Sequence, residues 1–200
     1  MRKSKRIKIL TFIGVVFLIV FVVIPPFARK WYRSHLKKHA PRVPTSKWKK
    51  FSSSEGKFSI WFPGTPVETN QFITNSIMAA EEHLFYVNAD IQDEYAVAYC
   101  DNRKFEEFIK NGRAQEFLDK SESIVVAEAN GKILSEQKTT FEGYPAREFE
   151  YKAGGKANYS VKVKYAMIGQ RVYSLMAVFM TGNPYPEDRT TFFKSFQLQN

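Results

Sequence analysis

From Ile9 to Ala28 the chain runs for twenty residues with one polar member, Thr11, and no charge. A helix of that length rises roughly 30 Å, the thickness of a bilayer's hydrocarbon core. Its many β-branched residues disfavour a helix in water. In lipid every backbone group must be paired within the segment, so a helix forms regardless. Pro25-Pro26 ends or kinks it. Trp31 and Tyr32, with Arg29 and Lys30 beside them, then stand at headgroup depth, as interfacial aromatics and cations do. A cleaved signal peptide calls for a shorter apolar run and small residues before the cut. Ile24-Pro25-Pro26-Phe27 offers a poor cleavage site, and with no cysteine after the run there is no lipoprotein processing. The expectation is an uncleaved single-pass anchor over 9–28, behind a basic head, 1–8.

Residues 29–50 read as a basic linker broken by Pro41 and Pro44, and residues 51–200 as one domain. Phe58, Ile60 and Phe62 alternate with Ser59 and Trp61, a half-buried strand closed by Pro63-Gly64. Phe85, Val87, Ala89 and Ile91 line one face of a second strand, joined at Gln92-Asp93 to a third, 94–100. Residues 104–128 carry two apolar stripes offset round the axis, Phe105-Phe108-Ile109 and Ala114-Phe117-Leu118-Ser121-Val125. This predicts two helices with a break at Asn111-Gly112 and a stop at Asn130-Gly131. Four more strands follow, over 133–141, 147–151, 159–167 and 171–180, the last pair joined by Gly169-Gln170. Residues 171–180 are apolar at almost every position, which predicts a central strand covered on both faces. A short helix over 186–196 would turn Phe192, Phe193 and Phe196 to the core. Short turns imply antiparallel pairing. The fold expected is α+β, a single antiparallel sheet of six or seven strands covered by helices and preceded by one N-terminal transmembrane helix.

Charge sharpens this picture. The net charge of +10 sits wholly in residues 1–50, with 14 Lys/Arg and no Asp or Glu. Residues 51–200 hold 16 Lys/Arg against 20 Asp/Glu, a net −4. A nucleic-acid binder needs its basic groups on the folded surface, so a nucleic-acid partner is not expected. Basic flanks beside an apolar run fit anionic lipid headgroups, and the partner expected there is the membrane. Positive charge on the second flank argues for keeping it inside the cell, whereas a short basic head before an apolar run resembles an export signal. The favoured topology places the domain outside the cytoplasm.

The segment Phe51-Ser52-Ser53-Ser54-Glu55-Gly56-Lys57-Phe58-Ser59-Ile60-Trp61-Phe62-Pro63-Gly64-Thr65-Pro66 resembles the opening of bacterial domains related to the PsbP/Mog-type α/β sandwich. Gly143-Tyr144-Pro145-Ala146-Arg147-Glu148 resembles their middle G-x-P-x-R-E strand. Gly169 to Leu175 resembles the late hairpin, and Phe192-Phe193-Lys194-Ser195-Phe196 the closing helix. The resemblance spans residues 51–200 and implies an accessory or binding module, a lipoprotein or a partner of other proteins. It implies no catalytic set.

The residues themselves offer little chemistry. His35 and His39 have metal-ligand spacing but lie among positive neighbours with no carboxylate or thiolate to complete a site. Cys100 with His83 as base is a conceivable thiol pair, against the ordinary reading of a buried inert thiol and a solvated edge histidine. Asp90, Asp93, Glu94 and Asp101 lack the ordered spacing of a calcium loop and read as solvated turn charges. Gly154-Gly155-Lys156 lacks the full phosphate-loop pattern. No catalytic, cofactor-binding or metal-binding residue is therefore assigned, and no cofactor is expected. Arg147 reads as a structural or partner contact. Trp61 points away from Phe58, Ile60 and Phe62, and either packs under a covering layer, the favoured reading, or forms part of an interface. The function expected is a membrane-anchored, non-enzymatic binding or accessory module of the cell envelope with a protein partner. The alternatives are a carrier of a small apolar ligand or lipid, and a thiol enzyme or hydrolase.

Overall fold

The computed structural model describes residues 42–89, 93–154 and 158–199. The predicted anchor, the headgroup residues Arg29, Lys30, Trp31 and Tyr32, the His35/His39 pair, Asp90 and Gly155-Lys156 lie outside them. Among the described residues no helix is long and apolar enough to cross a membrane.

Seven strands form the main sheet: β3 (Val67–Thr74), β4 (Ala79–Asn88), β5 (Glu94–Asp101), β6 (Lys132–Phe141), β7 (Tyr144–Lys152), β8 (Tyr159–Ile168) and β9 (Arg171–Met180). Their order is β3-β4-β5-β9-β8-β7-β6, and every neighbouring pair is antiparallel. Two meanders, β3 to β5 and β6 to β9, therefore meet along β5 and β9. That seam is where the sequence is most uniformly apolar, and it has a core on each side. Ala96, Ala98, Cys100, Val172 and Met176 belong to one core; Tyr95, Val97, Tyr99, Tyr173, Leu175, Ala177 and Phe179 belong to the other. The central position expected for residues 171–180 is the one found.

The sheet count needs a correction. There are two sheets, of three and seven strands. The strand predicted over 58–62, β2 (Phe58–Phe62), leaves the main sheet and pairs with β1 (Lys49–Ser53) and β10 (Gln197–Leu198). Its place in the seven is taken by β3, which the apolar pattern missed. This edge strand is exposed at most positions, Phe72 to 71 %, so no buried face imposes alternation on its sequence.

Two helices cover one face: α1 (Arg103–Lys110) over β8, and α2 (Ala114–Glu128) over β7 and β6. Asn102 caps α1, its side-chain oxygen accepting from the Lys104 N–H at 3.0 Å. The break falls where expected, with Gly112 at φ +67°. At the end of α2 the left-handed residue is Asn130, φ +45°, rather than Gly131. The second strand–turn glycine matters for space: a Cβ on Gly154 would lie 2.3 Å from the Asn130 carbonyl oxygen.

The other face is covered by the small sheet and by α3 (Pro186–Ser195). Phe58 is fully buried, with ring centroids 5.6 Å from both Phe85 and Phe196. Phe62 packs on Phe192 at 5.6 Å and Phe192 on Tyr95 at 5.1 Å. Residues 42–50 belong to this layer. Trp48 is buried edge-on against Tyr95 at 5.1 Å, and its Nε1–H donates to the Val43 carbonyl at 2.9 Å. Arg42 donates to Asp188 on α3 at 2.7 and 2.5 Å and lies 4.1 Å over the Tyr185 ring. With Asp188 buried and Arg42 mostly covered, the attraction in this pair is largely offset by the cost of taking both charges out of water. Burying a large aromatic is worth about 1.5–3 kcal/mol. Trp48, more than Arg42, therefore holds this segment down.

Gly154→Ala is expected to destabilise the domain by about 1–3 kcal/mol, because the added methyl meets backbone that cannot yield cheaply. Urea unfolding followed by tryptophan fluorescence measures it. A midpoint equal to that of the unsubstituted chain would show that the packing of the β7–β8 turn on the α2–β6 turn is looser than described.

Candidate functional site

Arg147 occupies a helix-facing position on β7 and is 7 % exposed. It is ringed by carboxylates. Its Nε donates to Glu122 on α2, its Nη2 to Glu136 on β6, and its Nη1 lies 3.0 Å from Asp119 Oδ1. Lys138 joins from β6, 3.1 Å from Asp119 Oδ2. Burial works against the arginine's charge, but the carboxylates, Glu122 foremost, more than restore it, so its pKa lies above the ordinary value. Burial pushes the Glu122 carboxyl up, and Arg147 opposes the shift. The sequence left Arg147 between a structural and a partner role. The structure gives it an internal one, fastening β7 to α2 and β6. The signal was present in α2, where Glu122 sits on the same stripe as Leu118 and Val125 and is buried with them. An acidic residue on a core stripe demands a buried cation. On the opposite face of β7, Glu148 forms a cross-strand ion pair with Lys164 at 2.9 Å. Although burial pushes the Glu148 carboxyl up, Lys164 holds it below the usual range.

Strand register separates Cys100 and His83. Cys100 is opposite Glu82 and His83 is opposite Tyr99, so the thiol faces the helices and the imidazole the small sheet. A nucleophile and its base on opposite faces of one sheet cannot exchange a proton. Cys100 is 0 % exposed, and burial, then the neighbouring carboxylates, pushes its thiol far above the ordinary value. His83 is mid-strand and half-buried rather than a solvated edge residue. It stacks on Tyr99 at 4.6 Å and 6°, and Arg171 lies 4.2 Å over the same ring.

Two of the acidic residues read as solvated turn charges are buried instead. Asp93 accepts both hydrogen bonds of the Asn183 Nδ2 group, at 2.7 and 2.6 Å. Glu94 opens β5 with its carboxyl pushed up to about 9 by burial. Asp101 is exposed and pairs with Arg171 at 2.6 Å. Among the described residues no group of three His, Cys, Asp or Glu is placed to hold a metal ion. Glu82 is fully buried: Oε2 accepts from Gln71 Nε2 at 2.5 Å, and Oε1 has no hydrogen-bond partner among the described residues. Burial pushes this carboxyl up to about 8, and the Gln71 hydrogen bond opposes the shift.

A cavity of about 20 Å³ lies between α2 and the sheet, lined by Cys100, Tyr165, Phe117 and Ile124 among others. It has room for about one water. Sites for small organic ligands occupy about 300–1,000 Å³. A larger recess, about 190 Å³, lies over β6 and β7 and is lined mainly by polar side chains, Ser135, Glu136, Gln137, Glu148 and Lys162, which do not suit an acyl chain.

What remains is surface. Trp61 is 40 % exposed on the outer face of the small sheet, against the expectation that a covering layer would bury it. Ser59, on the same outward face, is screened by its neighbours, and among the described residues no further layer covers Trp61. Lys50 is its cross-strand neighbour. The Trp61 backbone N–H donates to Ser195 Oγ at 3.0 Å, which sets the end of α3 and exposed Lys194 beside it.

With the layers and the site in view, solved structures provide a comparison. The chain is similar to cyanobacterial PsbP (CyanoP) from Synechocystis sp. PCC 6803, with a TM-score of 0.55 at 9 % identity, over 76 % of this chain and 92 % of that one. The fold is of the PsbP type. Two further likenesses fall below a TM-score at which a common fold follows. One is to PA94 from Pseudomonas aeruginosa, a protein of unknown function, at 0.40, 9 % identity, 72 % of this chain and 89 % of that one. The other is to a protein of Bacteroides thetaiotaomicron VPI-5482 at 0.38, 13 % identity, 76 % of this chain and 48 % of that one. No protein-family model and no curated protein matches the chain.

Removing Arg147 leaves Glu122 buried without its counter-charge. Arg147→Met is expected to cost about 3–5 kcal/mol in urea unfolding, and Arg147→Met with Glu122→Leu to recover much of that loss. Additive losses in the double variant would show that the pair is not an energetic unit.

The raised Glu82 pKa has a definite sign. Between the unfolded value near 4.5 and the folded value of about 8, the folded state holds a proton that the unfolded state has released. Stability therefore falls as pH rises through that window, and the whole penalty is present above it. Glu82→Gln is expected to leave stability at pH 4 nearly unchanged and to raise it at pH 9, as read by thermal melts. Equal gains at both pH values would place the Glu82 carboxyl in contact with water.

Proposed function

We propose that the chain is a membrane-anchored, non-enzymatic binding module of the cell envelope, with residues 9–28 as the anchor and the PsbP-type domain outside the cytoplasm. The observation that supports this most directly is the separation of Cys100 and His83 onto opposite faces of a close-packed sheet. The reactive side chains of the domain are either buried or engaged in packing, and the side chains free to meet another molecule are on its exterior. The 20 Å³ cavity weighs against the carrier alternative, and the inert thiol against the enzyme alternative. The basic flanks of residues 9–28 supply attraction to anionic headgroups, and the tether raises the local concentration of the domain at the membrane.

Protease protection tests the topology. In intact cells, or in spheroplasts where an outer membrane is present, added protease is expected to digest the domain while a cytoplasmic control survives. Protection that persists until the inner membrane is lysed would place the domain in the cytoplasm. The downstream basic flank would then have set the topology.

A further inference from the structure

The layer that contains the small sheet differs in charge from the rest of the domain. Residues 42–66 and 186–199, which build β1, β2, β10 and α3, hold seven Lys/Arg and three Asp/Glu. Residues 67–185 hold 13 Lys/Arg and 17 Asp/Glu. The small-sheet side therefore carries an excess of four positive charges, while the remainder carries a smaller negative excess than its composition suggests, because burial favours the protonated forms of Glu82 and Glu94. Of the three acids in the basic layer, Glu187 and Asp188 are engaged by Arg42, and Glu55 lies at the tip of the β1–β2 hairpin. Lys47, Lys49, Lys50 and Lys194 are all exposed.

At the centre of this layer's outer face stands Trp61, between Lys50 on β1 and the end of α3. An exposed indole beside Lys50, on a layer with excess positive charge, matches the headgroup zone of an anionic bilayer, where the ring sits at the boundary and lysines are drawn to the negative surface. The chain also joins the domain in this layer. Arg42 is held on α3, Trp48 is packed on Tyr95, and β1 follows at once. Thirteen residues separate Ala28, the end of the predicted anchor, from Arg42. Whatever their conformation, they span no more than about 50 Å, so the tethered layer stays near the bilayer.

We infer that the outer face of the β1-β2-β10 sheet, centred on Trp61 and its lysines, rests on the anionic membrane surface and turns the helix layer toward the aqueous side. This rests on the anchoring of residues 9–28 proposed above. The anchor sets only that the domain is close to the membrane; the Trp61 face sets which way it points.

The test uses the full chain reconstituted in vesicles of phosphatidylcholine alone or of phosphatidylcholine with phosphatidylglycerol. A water-soluble amine-acetylating reagent is added, and each lysine's modification is read by mass spectrometry. Labelling of Lys50 and Lys194, taken relative to Lys104 and Lys120 on the helix side, is expected to fall several-fold in the anionic vesicles only. It should recover at about 0.5 M salt. The same relative labelling of Lys194 should recover in the Trp61→Ser/Lys50→Glu variant, whose changes are on the surface. Equal labelling in both lipids, with the chain still resisting alkaline carbonate extraction, would overturn the docking and leave the anchor standing. Protection of the same lysines in phosphatidylcholine as well would also overturn it, since contact with a second copy would then cover the face. Release of the chain by carbonate would refute the anchor, and the docking with it.

Discussion

The structure depends on one constraint: the β5–β9 seam is apolar on both faces. A sheet with such a seam must be covered twice, and the chain provides two covers from different parts of its length. The segment between the two meanders supplies α1 and α2 for one side. The first and last segments of the domain supply β1, β2, α3 and β10 for the other. Phe58, Phe62 and Phe192 are fully buried in that second cover, and each such ring contributes about 1.5–3 kcal/mol. These contacts outweigh the Arg42–Asp188 ion pair, whose attraction is largely offset by the desolvation of its buried carboxylate. It follows that the two ends of the domain share a layer, and that the chain leading from residue 41 arrives on that layer and no other.

Polar groups inside the helix cover select the arrangement more than they strengthen it. A buried Arg–carboxylate cluster offsets its own desolvation only when the geometry is good, and replacing it wholly with apolar groups is often neutral. Yet with Glu122 on α2, Arg147 on β7 and Glu136 on β6, a slip of β7 by one residue would turn Arg147 toward the small sheet and strand two carboxylates. Shape alone would tolerate several seatings of α2; the charge cluster rejects all but one. Glu82 and Glu94, which lack such a counter-charge, are instead pushed up in pKa.

Much of this could be read from the sequence, because burial writes period and length into it. β8 and β9, buried on one or both faces, showed their extent to within a residue, and Asn111-Gly112 marked the break between the helices. The misses share a cause. β3 is an edge strand with little buried surface, so its composition obeys no pattern. β2 joins a second sheet through β1, which starts inside the stretch read as a basic linker, and through β10, more than 130 residues away, and no local period encodes either pairing. Asp93, Glu94 and His83 looked like surface residues by type, and only tertiary partners make them interior. For the candidate site, alternation placed Trp61 on the outward face of β2, but whether anything lay beyond it was a question of layer count. The Arg147 partner was written in α2 as an acid on an apolar stripe, a departure from amphipathic pattern that marks a buried ion pair.

The two covers also differ in what they leave outside. The helix cover ends in a mixed, net-acidic surface of ordinary solvated charges. The small-sheet cover is only one sheet thick, so every second residue of β2 must face outward, and the outward positions hold Ser59 and Trp61. Ser59 is screened by its neighbours, while Trp61 is not. An exposed tryptophan costs solubility unless another surface meets it, and here it stands in the layer with excess positive charge, where the chain from the N-terminal segment enters the domain. Shape, charge and connectivity thus converge on the same face. The membrane surface proposed for it, negative and wet at the edge and apolar beneath, is complementary to that face.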